Sequence, residues 1–222
     1  MVIGFNKLFT RFITSVAMLC PLLLVIGFHN FWIFLFTISI VCLFAFLEWI
    51  KNDFRHPILW GFSLIFIYFW GVIVCIAGYF LFYFEDSAIS VLYLILIFIM
   101  NTAIFDSAAY VYGSNFGKNS IAPSISPNKT REGLIGGLLT VTIYSFLICY
   151  FLKINYLLVP ICIFGGVLAF FGDLLISFHK REKNIKDTGT LLPGHGGVLD
   201  RLDSHLLAIP AMLLLAVLIN IL

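Results

Sequence analysis

Within residues 177–203, Asp187, Asp200 and Asp203 supply carboxylates, while Lys180, Arg181, Lys183, Lys186 and Arg201 supply positive charge. Gly189, Gly194, Gly196 and Gly197 leave backbone that a ligand can approach closely. Cations, carboxylates and bare N–H groups in one segment are the materials of a site for metal-bound phosphates. His195, flanked by two glycines, reads as a hydrogen-bond donor to phosphate rather than as a base, and no second histidine stands at metal-motif spacing. The Gly-x-x-x-x-Gly-Lys-Ser/Thr pattern of a nucleotide-binding loop is absent, as is Gly-x-Gly-x-x-Gly. The stretch lies between two long apolar segments, where a bilayer surface is expected. A phosphorylated lipid is the substrate class that this chemistry suits.

Two carboxylates stand inside apolar runs: Asp106 in Ile-Phe-Asp-Ser-Ala-Ala-Tyr and Asp173 in Phe-Phe-Gly-Asp-Leu-Leu. An ionisable group at membrane depth is expensive and marks a functional site by default. At 1.5 Å per helical residue each lies roughly 10 Å below the polar loop that follows it, so the two are expected to line one polar cavity. The competing reading makes them structural aspartates, each bonded to a neighbouring helix. Asp200 and Asp203, three apart, share a face if helical; Asp203 also suits the N-cap of the last helix. Arg201 between them turns toward a phosphate or a lipid head group, or forms an ordinary salt bridge. A second polar loop, 113–131, offers Ser126, Lys129 and Thr130 to an anion, with Thr130 also a candidate helix cap.

The elements that position these residues are membrane helices. The chain is 62% hydrophobic and 11% charged, far from a soluble domain. A span needs about 20 apolar residues, and seven candidates occur near 11–28, 30–50, 57–84, 87–112, 132–152, 155–177 and 204–222. The third run is long enough to hide a helical pair, which would make eight. The fold class expected is therefore all-α and polytopic, with 1–86 contributing N-terminal helices and 87–222 a catalytic region carrying loops 113–131 and 178–203. Seven spans with a cytoplasmic N-terminus put 12 of the 13 basic residues on the cytoplasmic side, all but Lys153, as the positive-inside rule requires. An eighth span would invert everything downstream. The first run continues into the second without a small-residue cleavage site, so it reads as a span rather than a removed signal. All five cysteines fall in apolar runs and read as small buried hydrophobes.

The pattern Ser-x-x-Lys-Arg-x-x-x-x-Lys-Asp-x-Gly-x-x-x-Pro-Gly-His-Gly-Gly-x-x-Asp-Arg-x-Asp runs unbroken over residues 177–203. Upstream stand Asp106, Ala109-Tyr110, Gly113, Phe116-Gly117-Lys118, Ser126-Pro127, Lys129-Thr130 and Glu132-Gly133. Together these resemble the phosphatidate cytidylyltransferase, or CDP-diacylglycerol synthase, family over residues 101–222. The chain departs from the family at Ser114, where relatives carry a basic residue, at Arg131, where they carry an aromatic one, and in an N-terminal half shorter by about one helix pair.

The resemblance implies cytidylyl transfer from CTP to phosphatidate, with Mg²⁺ and room for a second cation. It implies Asp173, Asp200 and Asp203 as metal ligands. Lys180, Arg181, Lys186 and the glycine-rich backbone would take the triphosphate, with Asp187 and His195 in the same catalytic set. Asp106, Ser126, Lys129, Thr130, Ser177, Gly194, Gly196, Gly197 and Arg201 would bind substrate; whether Ser126, Lys129 and Thr130 hold lipid phosphate or nucleotide stays open. The expected partners are CTP, phosphatidate, bilayer lipids and a second copy of the chain as a homodimer, with no nucleic acid. The expected location is a bacterial inner membrane with the site facing the cytoplasm. Two alternatives remain: a CTP-dependent polyprenol or lipid kinase, and a cation-coupled transporter using Asp106 and Asp173.

Overall fold

The computed structural model of the chain describes residues 31–82, 86–192, 196–219 and 221. The first expected span, 11–28, lies outside them, as do Gly194 and His195. The elements are α1 (Phe31–Lys51), a π-helical turn (Pro57–Phe62), α2 (Ser63–Phe82), α3 (Asp86–Phe116), β1 (Ser120–Ala122), β2 (Ser126–Thr130), α4 (Arg131–Leu152), α5 (Leu158–Glu182), α6 (Leu199–Leu202) and α7 (His205–Ile219). The protein is mostly helical. Among the described residues four helices are long and apolar enough to cross a membrane, Trp32–Lys51, Tyr93–Phe116, Arg131–Leu152 and Leu158–Glu182, and the apolar helices Pro57–Ile73 and His205–Ile219 are shorter. Over the described part of the 57–84 run, the π-helical turn leads directly into α2.

Helix ends fall where the backbone turns left-handed. Lys153 (φ 54°) closes α4, and Asn184 (φ 55°) follows α5, in the conformation that commonly ends helices. Loop 113–131 is more ordered than a solvated connection. Helix α3 runs on to Phe116, and β1 pairs antiparallel with β2, Ser120 opposite Thr130 and Ala122 opposite Ser126. The helical expectation stands, with this hairpin added to it among the described residues, its ladder satisfying polar backbone between two helices.

The chain divides into two compact units, Met1–Phe69 with His179–Leu202 and Trp70–Phe178 with Asp203–Leu222. In the first, Trp49 and Phe54 are fully buried against His179, with ring centroids 4.9 Å and 5.8 Å from the imidazole. Gly61 is required here: a Cβ would lie 2.6 Å from the Trp49 ring. Exposed ion pairs, Lys183–Asp53 at 2.6 Å and Arg55–Glu182 at 3.1 Å, tie the end of α5 to the turn after α1.

In the second unit, α3 packs against α4 through small residues. A Cβ on Gly133 would stand 2.6 Å from the Ala109 carbonyl oxygen, and one on Gly137 2.8 Å from the Phe105 ring. Small residues allow such backbone approach in membranes, where helices associate by packing rather than by expelling water. Gly133→Ala should therefore cost about 2 kcal/mol, within the usual range for overpacking, because a carbonyl cannot rotate away. Gly137→Ala meets a ring edge that can shift and should cost less. Unfolding midpoints of the two variants in one detergent check the ranking.

Buried polar groups join the helices of this unit. Asn101 Nδ2 donates to the Cys162 carbonyl at 3.0 Å, and Thr102 Oγ1 lies 2.8 Å from His205 Nδ1. Cys42, Cys149 and Cys162 are free and buried, as small hydrophobes.

Candidate active site

The first cluster belongs to the unit built on α3, the hairpin, α4 and α5. A cavity of about 210 Å³ is lined by Asp106 of α3, Ser126, Lys129 and Thr130 of β2, and Phe170 and Asp173 of α5, among others. The expectation that Asp106 and Asp173 share one polar cavity is met, and Ser126, Lys129 and Thr130 join them. Thr130 is indeed the N-cap of α4, its hydroxyl accepting from Gly133 N at 3.1 Å. That bond fixes the end of β2 one residue from Lys129.

Lys129 is the electrostatic centre of this cavity. Its Nζ is 2.7 Å from Asp173 Oδ2 and 5.1 Å from the centroid of the Phe170 ring, with the side chain only 16% exposed. The contact with Asp173 is an ion pair without a directed hydrogen bond, so ammonium hydrogens remain to meet a ligand. Ser177 donates to Asp173 Oδ1 at 3.1 Å, one helical turn further along α5. Ser204 bonds Asp106. A desolvated cation flanked by two carboxylates and two hydroxyls is chemistry suited to an oxyanion such as a phosphate monoester.

The second cluster belongs to the other unit and centres on Asp200. Its Oδ1 accepts from Lys180 Nζ at 2.9 Å, and its Oδ2 accepts from Thr188 N at 2.8 Å and Gly197 N at 2.9 Å. The Lys180 and Asp200 side chains are 10% and 5% exposed. Gly196 adopts φ 84°, and a Cβ there would stand 2.8 Å from Asp200 Oδ2. The sequence therefore needs glycine at 196 for conformation and for space.

Glu48 of α1 grips the same loop from the other side. It accepts from Thr188 Oγ1 at 2.9 Å, Val198 N at 3.0 Å and Leu199 N at 2.9 Å, and is itself buried. The backbone N–H groups of Thr188, Gly197, Val198 and Leu199 are thus taken by internal carboxylates. The picture of Gly197 presenting bare backbone to an anion is corrected accordingly. Arg181, Lys186, Asp187 and Arg201 are exposed around this loop.

The sequence reading gives Glu48 no role, although Phe-Leu-Glu-Trp-Ile carries the signal that singles out Asp106 and Asp173: a carboxylate in an apolar run. Thr188 and Phe170 also go unpredicted. Nothing in their types or spacing marks them.

Asp200 has an acid-stability consequence. Burial pushes its carboxyl pKa up, but hydrogen bonds from Gly197 N, Lys180 and Thr188 N outweigh that and hold it below the ordinary carboxylate value. A carboxyl whose pKa is depressed by folding stabilises above the unfolded pKa, and loses that contribution as pH falls through the folded one. The loop should keep its protection down to about pH 4, where free aspartate titrates, and open only below. Hydrogen exchange across residues 187–199 at a series of pH values checks this; opening already at pH about 5 contradicts it.

The three carboxylates expected to share a cation are each engaged otherwise. Asp173 is held by Lys129 and Ser177, Asp200 by three donors, and Asp203 Oδ1 accepts from Ser204 N at 2.9 Å. Among the described residues no three His, Cys, Asp or Glu side chains form a group that could hold a metal ion. Within each unit, then, these carboxylates are held by protein donors.

The chain is similar to three proteins that carry one name. A phosphatidate cytidylyltransferase of Staphylococcus aureus (strain COL) is 36% identical over 141 residues, 62% of this chain and 54% of that protein. One from Thermotoga maritima is 42% identical over 125 residues, 52% of this chain and 46% of that protein. One from Staphylococcus haemolyticus is 41% identical over 115 residues, 50% of this chain and 44% of that protein. The chain spans about half the length of the curated relatives it matches. The model of the cytidylyltransferase family matches residues 12–219, nearly the whole sequence and both polar clusters, and the chain belongs to that family.

Proposed function

We propose that this protein transfers the cytidylyl group of CTP to phosphatidate, yielding CDP-diacylglycerol and pyrophosphate. The names of its relatives support this reading. The single observation that carries it is the Lys129–Asp173 cavity, where a largely buried cation in an apolar helical chain stands ready for a lipid phosphate.

In this reading an oxygen of the phosphatidate phosphate attacks the α-phosphorus of CTP. The new P–O bond forms as the bond to the bridging α–β oxygen breaks, and pyrophosphate departs with that electron pair. A phosphate monoester is largely ionised near neutral pH, so no general base is required. Catalysis then consists of positioning and of neutralising charge. Lys129, Ser126 and Thr130 bind the lipid phosphate, with Asp106 and Asp173 orienting the ammonium. Arg181, Lys186 and Arg201 balance the triphosphate, His195 donates to it, and Lys180 works through Asp200 to hold the loop. Mg²⁺ belongs to the proposal as the counter-ion of the nucleotide, with the magnesium complex of CTP as the substrate.

The same proposal includes seven spans with a cytoplasmic N-terminus, loops 113–131 and 178–203 on the cytoplasmic face of a bacterial inner membrane, and a homodimeric assembly. The basic-residue asymmetry supports the topology.

The test supplies purified protein in detergent with phosphatidate and CTP labelled at the α-phosphate, with and without Mg²⁺. Label should enter the lipid phase with one pyrophosphate released per transfer, and only when Mg²⁺ is present. Folded protein that labels no lipid overturns the proposal. Label moving from the γ-phosphate into a polyprenol would make it a kinase.

A further inference from the structure

We infer that Glu48 is a positioning residue for the nucleotide, acting through the glycine-rich loop that it holds from α1. This rests on the proposed cytidylyl transfer. The loop leaves α5 after Glu182 and re-enters helix at Leu199. Glu48 binds it at both ends: Thr188 on the way out, Val198 and Leu199 on the way back. Asn52, in the turn just past α1, adds a 2.6 Å bond to the Thr188 carbonyl. Between these anchors lie residues 189–197, most of the glycine-rich run.

Shape requires the carboxylate as much as charge does. A Cβ on Gly189 would stand 2.5 Å from Glu48 Oε1, and one on Gly197 would overlap Glu48 Oε2. Both glycines are therefore bare because Glu48 lies against them, a reason separate from any ligand. Asp200 fastens the same two ends through Thr188 N and Gly197 N. Two carboxylates from different helices thus close the base of the loop, one of them far from the sequence pattern of residues 177–203.

Glu48→Gln isolates the effect, because it keeps size and shape. The two backbone donors sit on different oxygens, Val198 N on Oε1 and Leu199 N on Oε2. Whichever way the amide turns, one of them faces an NH₂ group that cannot accept. Thr188→Val is the second variant, removing only the hydroxyl donor.

Steady-state kinetics with α-labelled CTP should find KM for CTP raised about tenfold in Glu48→Gln, the worth of one hydrogen bond to a charged group. KM for phosphatidate should be unchanged, and hydrogen exchange at residues 187–199 should be faster. Thr188→Val should move the same quantities less. A merely structural role would lower the yield of folded enzyme and leave both KM values alone, and that result overturns the inference. If Glu48→Gln does not fold, Thr188→Val decides on the same readouts. If the wild-type protein transfers no cytidylyl group, the functional proposal fails by itself. Unchanged exchange at 187–199 in Glu48→Gln would then overturn the inference independently.

Discussion

Lys129→Met should lower kcat/KM for phosphatidate by at least about 100-fold, the usual cost of removing one donor from an anion-stabilising set. The Lys129 ammonium is the only cation among the residues lining its cavity, which also holds the carboxylates of Asp106 and Asp173. Without it, the cavity presents carboxylates and hydroxyls, and on the proposed function it repels the dianionic lipid phosphate. Lys129→Arg should not restore full activity. The guanidinium is larger and planar, and the cavity measures only about 210 Å³. Thermal unfolding of each variant separates lost binding from lost fold. Near-normal turnover by folded Lys129→Met would remove this lysine from the site.

The second large effect is on stability. Lys180→Met should destabilise the protein by about 3–5 kcal/mol, the cost of stranding one partner of a buried ion pair. Asp200 is 5% exposed and would keep its charge with only two N–H donors for company. Asp200→Asn should be damaging too. Its amide can turn its oxygen to the two backbone donors only by aiming NH₂ at the ammonium. The double variant should cost less than the sum of the two, because each single change already breaks the same contact. Denaturant unfolding of the four proteins measures this coupling. Effects below about 1 kcal/mol that simply add would mean that the pair behaves like a solvent-exposed one.

Much of this molecule is legible in its sequence. The apolar runs located α1, α3, α4, α5 and α7 to within a few residues, because an apolar helix shows in the local density of apolar side chains. That Asp106 and Asp173 line one cavity was also legible, since a carboxylate in an apolar run needs a polar surrounding, whatever its distant partners. The hairpin at 120–130 was not legible: Ser-Pro-Asn-Lys-Thr has little strand propensity and pairs only because α3 and α4 hold its ends together.

The polar residues worth testing, and the apolar helices that flank them, could be read from the chain alone. Residue type, motif spacing and hydropathy are local, and local facts survive in one dimension. How the charges are paired is a matter of packing: Lys129 with Asp173, Lys180 with Asp200, and Glu48 with Val198 and Leu199, some 150 positions away. A buried charge is tolerated only where a partner meets it, and that partner is chosen by how the helices pack.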